Sequence, residues 1–238
     1  MGLNEYAPRA TYLSVSDGAV VRRYKSADED PKAQARTTKS GRVVYERHYR
    51  SVDGYVTGIQ IGSSTFEGKT IEKAQWKITI SDQGKSFILT MPYSSAYAKR
   101  FFNALANLDD FGQPLRILPW RMENPERAGK YWLGITVYTR PFDAKPKVPL
   151  RFTKDDIPPM REVRLKGQTQ WDDEEQMAFW ENVVETIIAP KIAEAAGVAG
   201  FDAISHANGA NDDDDEEIGD AYVPASDNND RDLDALPF

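Results

Sequence analysis

The chain has 238 residues, of which 40% are hydrophobic and 11% aromatic, so it can bury the core of one large domain or two small ones. It has no cysteine, which excludes disulfides, thiolate metal sites and cysteine nucleophiles, and its two histidines, His48 and His206, argue against a zinc site or a catalytic triad. The net charge of −7 hides a division: residues 1–170 carry 28 basic and 18 acidic side chains, whereas residues 202–238 carry one basic and 12 acidic side chains.

This division of charge has two explanations. A body of net charge +10 joined to a tail of net charge −11 suits a protein whose body meets a polyanion, while the tail keeps it soluble and competes for the same surface. The alternative is a solvated basic surface with a tail that only increases solubility.

The N-terminal sequence Met-Gly-Leu-Asn-Glu-Tyr has neither the basic nor the apolar region of a secretory signal. No apolar run is long enough to span a membrane. We therefore expect a cytoplasmic protein without a membrane partner.

Segments rich in β-branched and aromatic residues predict strands along most of the first 140 residues. They cover Thr11–Lys25, Arg42–Gln60, Gln75–Ile80, Ser86–Met91, Leu115–Met122 and Tyr131–Thr139, with turn signals at Asp17-Gly18, Asp53-Gly54 and Asp82-Gln83-Gly84. One helix from about Ser94 to Leu108 interrupts them, because Ala98, Phe101, Phe102 and Leu105 have helical spacing behind a serine N-cap. The pattern predicts a mainly β fold in which residues 1–170 form an OB-like barrel with one inserted helix.

The polar segment between Lys25 and Gly41 is too long for a tight turn. It carries Lys32, Arg36 and Lys39, and more basic residues flank it. We expect it to fold over a bound strand of nucleic acid, although a mobile loop without function would have the same composition.

Alternation separates the two faces of the predicted strands. Tyr131, Leu133, Ile135 and Val137 are expected in the core together with Trp76, while Trp132, Thr136, Tyr138 and Arg140 take the other face. The set Val43, Tyr45, Arg47 and Tyr49 interleaves aromatic rings with a cation, and Trp120 with Arg121 is expected near a rim. Rings beside guanidinium groups suit base stacking with phosphate neutralisation, although a strand aromatic more often fills a core. The candidate DNA-binding residues are Arg22, Arg23, Lys25, Lys39, Arg42, Tyr45, Arg47, Tyr49, Trp120, Arg121, Trp132, Tyr138 and Arg140.

Residues 171–200 form the second predicted unit, an acidic amphipathic helix from Trp171 to Gly197. Its apolar stripe is Met177, Trp180, Val184, Ile187 and Ile188, and Pro190 should kink or divide it. The stripe either packs on the first domain or forms a contact between two copies, which leaves a homodimer open.

Residues 201–238 form the third unit, a tail whose low hydrophobicity and high charge predict disorder. The tail ends in an amphipathic tip, Asp232-Leu-Asp-Ala-Leu-Pro-Phe238. Phe238 can fill an apolar pocket and its carboxylate can pair with an arginine, while Asp232 and Asp234 can meet a basic rim. The tip therefore has the chemistry of a ligand for other proteins.

An acidic tail ending in an apolar residue, proline and phenylalanine resembles the tails of bacterial and phage single-stranded DNA-binding proteins. The resemblance covers only the tip, where Leu233 and Ala235 interrupt the aspartates. It implies a divergent phage-type member whose Leu236, Pro237 and Phe238 dock onto replication and repair proteins. It also implies sequence-tolerant binding and protection of single-stranded DNA during replication, recombination and repair.

Other functions remain as alternatives. A strand-annealing recombination mediator would share the same features, and so would a module whose basic body recognises an acidic protein. A metal-dependent nuclease would need converging carboxylates, but the pairs Asp109-Asp110 and Asp155-Asp156 are adjacent and near turn residues, where a solvated or capping role is expected. No phosphate-binding loop of the ATPase type occurs. We expect no enzyme activity, catalytic residue, metal or cofactor.

Overall fold

The computed structural model describes residues 10–38, 41–66, 69–125, 127–141, 147–165 and 168–198. Its strands are β1 Thr11–Ser16, β2 Ala19–Tyr24, β3 Gln34–Thr37, β4 Val43–Tyr49, β5 Val52–Phe66, β6 Lys69–Asp82, β7 Lys85–Pro92, β8 Leu115–Glu123, β9 Tyr131–Tyr138, β10 Arg161–Leu165 and β11 Gln168–Asp172. Its helices are α1 Ala96–Ala106, α2 Glu174–Val183 and α3 Ala189–Val198, with a π-helical turn, Val184–Ile188, between the last two. The prediction of a mainly β chain with a helix at its C-terminal side is confirmed.

Nine strands form one sheet in the order β3-β4-β2-β1-β7-β6-β5-β8-β9, and β10 pairs separately with β11. Strand β1 lies parallel to β7, while the other neighbours are antiparallel. In a flat sheet, β2 and β8 would be about 24 Å apart, since five strand spacings separate them. They are in contact instead, so the sheet curls towards a barrel, with no ladder between β2 and β8 in the described ranges.

The curled sheet meets itself at the turn between β1 and β2. Gly18 has a φ of +77°, and a Cβ added there would lie 2.6 Å from the backbone nitrogen of Arg121 on β8. Asp17 accepts a hydrogen bond from Arg121 at 3.0 Å, and the Gly18 N–H donates to the Tyr97 hydroxyl at 2.8 Å. We call this meeting point, formed by Asp17, Gly18 and Arg121, the seam.

Helix α1 fills the inside of the curl. The Ser95 side chain caps it by accepting from the Ala98 N–H, and Phe101, Phe102 and Leu105 are completely buried. Trp76, expected in the core, is 2% exposed and packs edge-on against Phe102. The predicted helix therefore forms where its apolar spacing placed it.

The C-terminal helix begins later than the sequence indicated. Trp171 and Asp172 belong to β11, which pairs with β10, so the prediction of a helix from Trp171 is wrong at its start. The π-helical turn ends just before Pro190. Because proline lacks an N–H and its ring clashes with the carbonyl four residues earlier, it widens the preceding turn.

The apolar stripe of this helix is buried within the same chain. Met177, Trp180, Val184 and Ile188 join the main hydrophobic cluster, and Ile187 packs at its edge. The buried ammonium of Lys99 on α1 bonds to Asp173 at 2.9 Å, next to the start of α2. Charge pairing and apolar burial thus anchor the helix to the sheet domain.

Two further expectations are corrected. Asp53-Gly54 makes no turn but lies inside β5, where both residues pair with β8. Tyr131, expected in the core, is 44% exposed because it stands at the outer end of β9. Ile135 and Val137 do lie in the core, and Leu133 packs against it.

None of the helices in the described ranges combines the length and the apolar character needed to cross a membrane.

The seam gives a stability prediction with a matched control. Gly18→Ala and Gly84→Ala both place a side chain on a left-handed backbone, which costs about 1 kcal/mol. Only Gly18→Ala also meets backbone atoms of β8, so it should lower the free energy of unfolding by a further amount of about 2 kcal/mol. Urea unfolding measures both variants, and equal losses would contradict the close approach at the seam.

Candidate nucleic-acid interface

Strands β2 and β4 bring arginines and tyrosines together on one face. The register places Arg22 opposite Arg47, with Tyr24 opposite Tyr45. The Arg22 guanidinium lies 4.8 Å from the ring centre of Tyr24, and that of Arg47 lies 4.9 Å from the ring centre of Tyr49. The Tyr24 and Tyr49 hydroxyls are 3.3 Å apart. These five residues are the arginine–tyrosine patch.

Asp30 occupies the middle of this patch. Its carboxylate accepts hydrogen bonds from the Tyr24 hydroxyl at 2.7 Å and from Arg47 at 2.8 Å, and only 9% of the residue is exposed. The Arg47 bond, the Lys32 backbone N–H and the Tyr24 hydroxyl together lower the pKa of Asp30 to about 2. The carboxylate is therefore ionised at neutral pH, and it compensates one of two facing guanidinium groups.

The opposite face of the same strands repeats the arrangement with Glu46. This residue is 5% exposed and accepts from Arg36 on β3 at 2.7 Å and from Arg23 on β2 at 3.0 Å. The Arg36 hydrogen bond lowers the pKa of Glu46 against the effect of burial, with further help from Arg23. On this face two arginines share one buried carboxylate, whereas on the other face Asp30 pairs with Arg47 alone.

A second cluster lies where β8 and β9 continue past the seam. The guanidinium of Arg121 lies 3.5 Å from the ring centre of Tyr131 and also holds Asp17. Trp120 is half-buried over Gly134, with the guanidinium of Arg100 5.3 Å from its ring centre. Trp120, Arg121 and Tyr131, which we call the rim cluster, thus present one tethered cation and one ring on one face of β8 and β9, and a second ring on the other face.

The other expected DNA-binding residues fall into three groups. Lys25, Arg42 and Arg140 are exposed. Trp132 and Tyr138 are half-buried; the Trp132 Nε1 is buried without a hydrogen-bond partner in the described part of the chain. Lys39 lies outside the described residues, and so do the five tip residues Asp232, Asp234, Leu236, Pro237 and Phe238.

The segment between Lys25 and Gly41 is more structured than its length suggested. It contains a short 3-10 turn, Ala27–Glu29, and strand β3, which pairs with β4. Arg36, expected to reach toward DNA, is bonded to Glu46. The sequence does not reveal Asp30 and Glu46 as partners of the arginines, because the Glu46 pairs depend on the register of β2, β3 and β4 and the Asp30 pair depends on the turn that precedes β3.

The carboxylates considered for metal chemistry have local partners. Asp110 accepts from the Gly112 N–H, Asp156 caps the turn beginning at Thr153, and Asp109 lies 3.5 Å from Lys191. Asp155 is exposed. No group of three or more potential metal ligands occurs among the residues that the structure describes.

The comparisons with known proteins supply no relative: no family model, curated protein or solved structure matches this chain.

Glu46 gives a prediction about pH. Its pKa is lowered in the folded protein, so its ion pairs stabilise the fold at neutral pH, and this stabilisation is lost as the pH falls below the ordinary value of 4.5. Glu46→Gln should therefore lower the free energy of unfolding by about 2 kcal/mol at pH 7. The difference from the unmodified protein should shrink in acid.

Urea unfolding between pH 7 and pH 3 measures this effect. Glu72→Gln, at an exposed position on β6, removes the same charge outside any such network and is the control. A difference between Glu46→Gln and the unmodified protein that stays constant with pH would contradict the role given to the Glu46 carboxylate.

Proposed function

We propose that this chain is a binding protein for single-stranded DNA that tolerates any sequence, and not an enzyme. The observation that carries the proposal is the repeated contact of guanidinium groups with tyrosine rings on the curled sheet. It occurs at Arg22 with Tyr24, at Arg47 with Tyr49 and at Arg121 with Tyr131. Single strands expose both phosphates and base faces, and such pairs provide a partner for each.

Charge supports the same proposal. On each face two arginines lie near a single buried carboxylate: Glu46 bonds both Arg23 and Arg36, while Asp30 bonds Arg47 and leaves the facing Arg22 uncompensated. Two guanidinium groups held directly opposite each other repel, and an additional anion relieves that repulsion. A phosphate backbone supplies such anions in series, and residues 1–170 have a net charge of +10 to attract it.

The exposure of each tyrosine indicates which ring is able to stack on a base. Tyr131 is 44% exposed and already has a cation against its ring, so its other side can receive a base. Tyr24 is 9% exposed, and Tyr49 packs against the core. We therefore place the principal stacking contact at Tyr131 in the rim cluster, with the arginine–tyrosine patch serving the phosphates.

Strand β2 connects the two clusters. It starts next to the seam, where Arg121 holds Asp17, and runs to Tyr24 in the patch. Arg22 and Arg23 project to opposite faces of it. A nucleic-acid strand that follows β2 would thus pass from the rim cluster to the patch.

The proposal includes the tail. Its acidic residues would compete with DNA for the basic surface, and the tip residues Leu236, Pro237 and Phe238 would recruit replication and repair proteins. The protein would protect single strands and, through the tip, bring these partners to them.

Titration with a dT oligonucleotide tests the binding. We expect quenching of tryptophan fluorescence at low salt and an affinity that falls steeply as salt rises. Tyr131→Ala should weaken binding about tenfold, because stacking contributes about 1–3 kcal/mol per base.

Two variants control for indirect effects. Tyr131→Phe keeps the ring and should bind like the unmodified protein. Ile71→Ala shortens a side chain of similar exposure, 45%, on β6 and should also leave affinity unchanged. Absence of any binding to dT at low salt would overturn the proposal, and an unchanged affinity of Tyr131→Ala would remove Tyr131 from it.

The tail gives a separate prediction. A chain ending at residue 201 loses a net charge of −11, so it should bind dT more tightly at low salt, by roughly threefold or more, because a competing anion is gone. High salt screens this competition and should reduce the difference. Equal affinities of the two chains at low salt would contradict tail competition.

A further inference from the structure

Asp30 is held in the arginine–tyrosine patch by hydrogen bonds from the sheet and from its own segment. From the sheet, the Tyr24 hydroxyl and Arg47 donate to its Oδ2 at 2.7 and 2.8 Å. From its own segment, the Lys32 N–H donates to Oδ1 at 2.9 Å and the Ala33 N–H donates to the Asp30 carbonyl at 2.9 Å. The carboxylate is thus presented to the patch by a tight turn that follows the 3-10 turn Ala27–Glu29.

The donors around Asp30 are those that a phosphodiester oxygen would use. A guanidinium and a phenol hydroxyl, set beside a second tyrosine hydroxyl, recognise any tetrahedral or planar oxyanion. Arg22 stands opposite Arg47 in the register, and no carboxylate is paired with Arg22 in the described chain. The site therefore has cationic capacity for more negative charge than Asp30 supplies.

The segment around Asp30 also contacts Tyr24 through its hydroxyl. Tyr24 is almost fully buried although it lies at the end of β2, and its hydroxyl is bound to Asp30. Asp28 and Glu29 in the same segment are exposed. An acidic turn thus lies on a surface that otherwise offers arginines and tyrosines.

We infer that Asp30 is an internal stand-in for a DNA phosphate, and that a bound strand displaces it from Arg47 and Tyr24. The inference rests on the proposed function and adds a phosphate site with a built-in competitor. Exchange of one anion for another keeps Arg47 paired throughout, and the incoming backbone also reaches Arg22. Departure of the segment frees the Tyr24 hydroxyl to donate to the incoming phosphate.

Whether one substitution raises or lowers the affinity for DNA distinguishes this role from a structural one. Asp30→Asn keeps an acceptor for the Lys32 N–H but removes the charge that competes with phosphate. If Asp30 is a competitor, the variant should bind a dT oligonucleotide about three- to tenfold more tightly, with a salt slope steeper by about 0.7 for one additional neutralised phosphate. If Asp30 only braces the patch, the variant should bind equally or more weakly.

Asp155→Asn is the matched control, since it makes the same change in net charge at an exposed position in the turn Lys154–Asp156. Its affinity should stay within about twofold of the unmodified protein, because a single distant surface charge is screened. An equal gain in Asp155→Asn and Asp30→Asn would overturn the local competition.

A measurement on the unmodified chain keeps the test independent of how well the variant folds. Hydrogen exchange of the Lys32 and Ala33 amides should become faster when dT saturates the protein, since both amides are bonded to Asp30. Unchanged or slower exchange, or an Asp30→Asn affinity no higher than that of the unmodified protein, overturns the displacement. Failure of the unmodified protein to bind dT overturns the proposed function itself, so the two failures are distinguishable.

Discussion

Two buried carboxylates, Asp30 and Glu46, hold the arginines of β2, β3 and β4 in fixed positions, and the candidate interface depends on them. The strand register forces Arg22 and Arg47 to face each other. Without a carboxylate on each side of the sheet, the like charges would oppose strand pairing. Because Glu46 is shared by Arg23 and Arg36 and Asp30 bonds Arg47 but not Arg22, the sheet stays paired while positive charge remains available at its surface.

The curl of the sheet brings β8 next to β2, the strand that carries Arg22 and Tyr24. Gly18 allows the turn between β1 and β2 to touch β8, and Asp17 fastens it to Arg121. The same arginine covers Tyr131, so closure of the sheet also positions the exposed ring. The same contacts thus close the sheet and position the rim cluster. A larger residue at position 18 would disturb both.

Periodicity predicts the β class and the buried face of α1, since both depend on local alternation or helical spacing, and the Asp-Gly dipeptide predicts the turn at Asp17-Gly18. Alternation also identifies Tyr45, Arg47 and Tyr49 as one face. The sequence pattern does not reveal the partners of Asp30, which lies in a polar segment and bonds Arg47 on a distant strand. It places Tyr131 in the core although the residue stands at an exposed strand end. It places Trp171 in a helix although the residue pairs with Glu162, nine positions earlier, because a short strand before an acidic run has the composition of a helix start.

The parallel pairing of β1 with β7 has a consequence for how the chain reaches this structure. Thr90 on β7 donates a hydrogen bond to the Leu13 carbonyl, 77 positions earlier. Local hairpins such as β5 with β6 can form as soon as their residues leave the ribosome, but β1 keeps one unsatisfied edge until β7 has been synthesised. Contacts of such long sequence separation slow folding, so β1 is expected to pair with β7 after the local hairpins have formed.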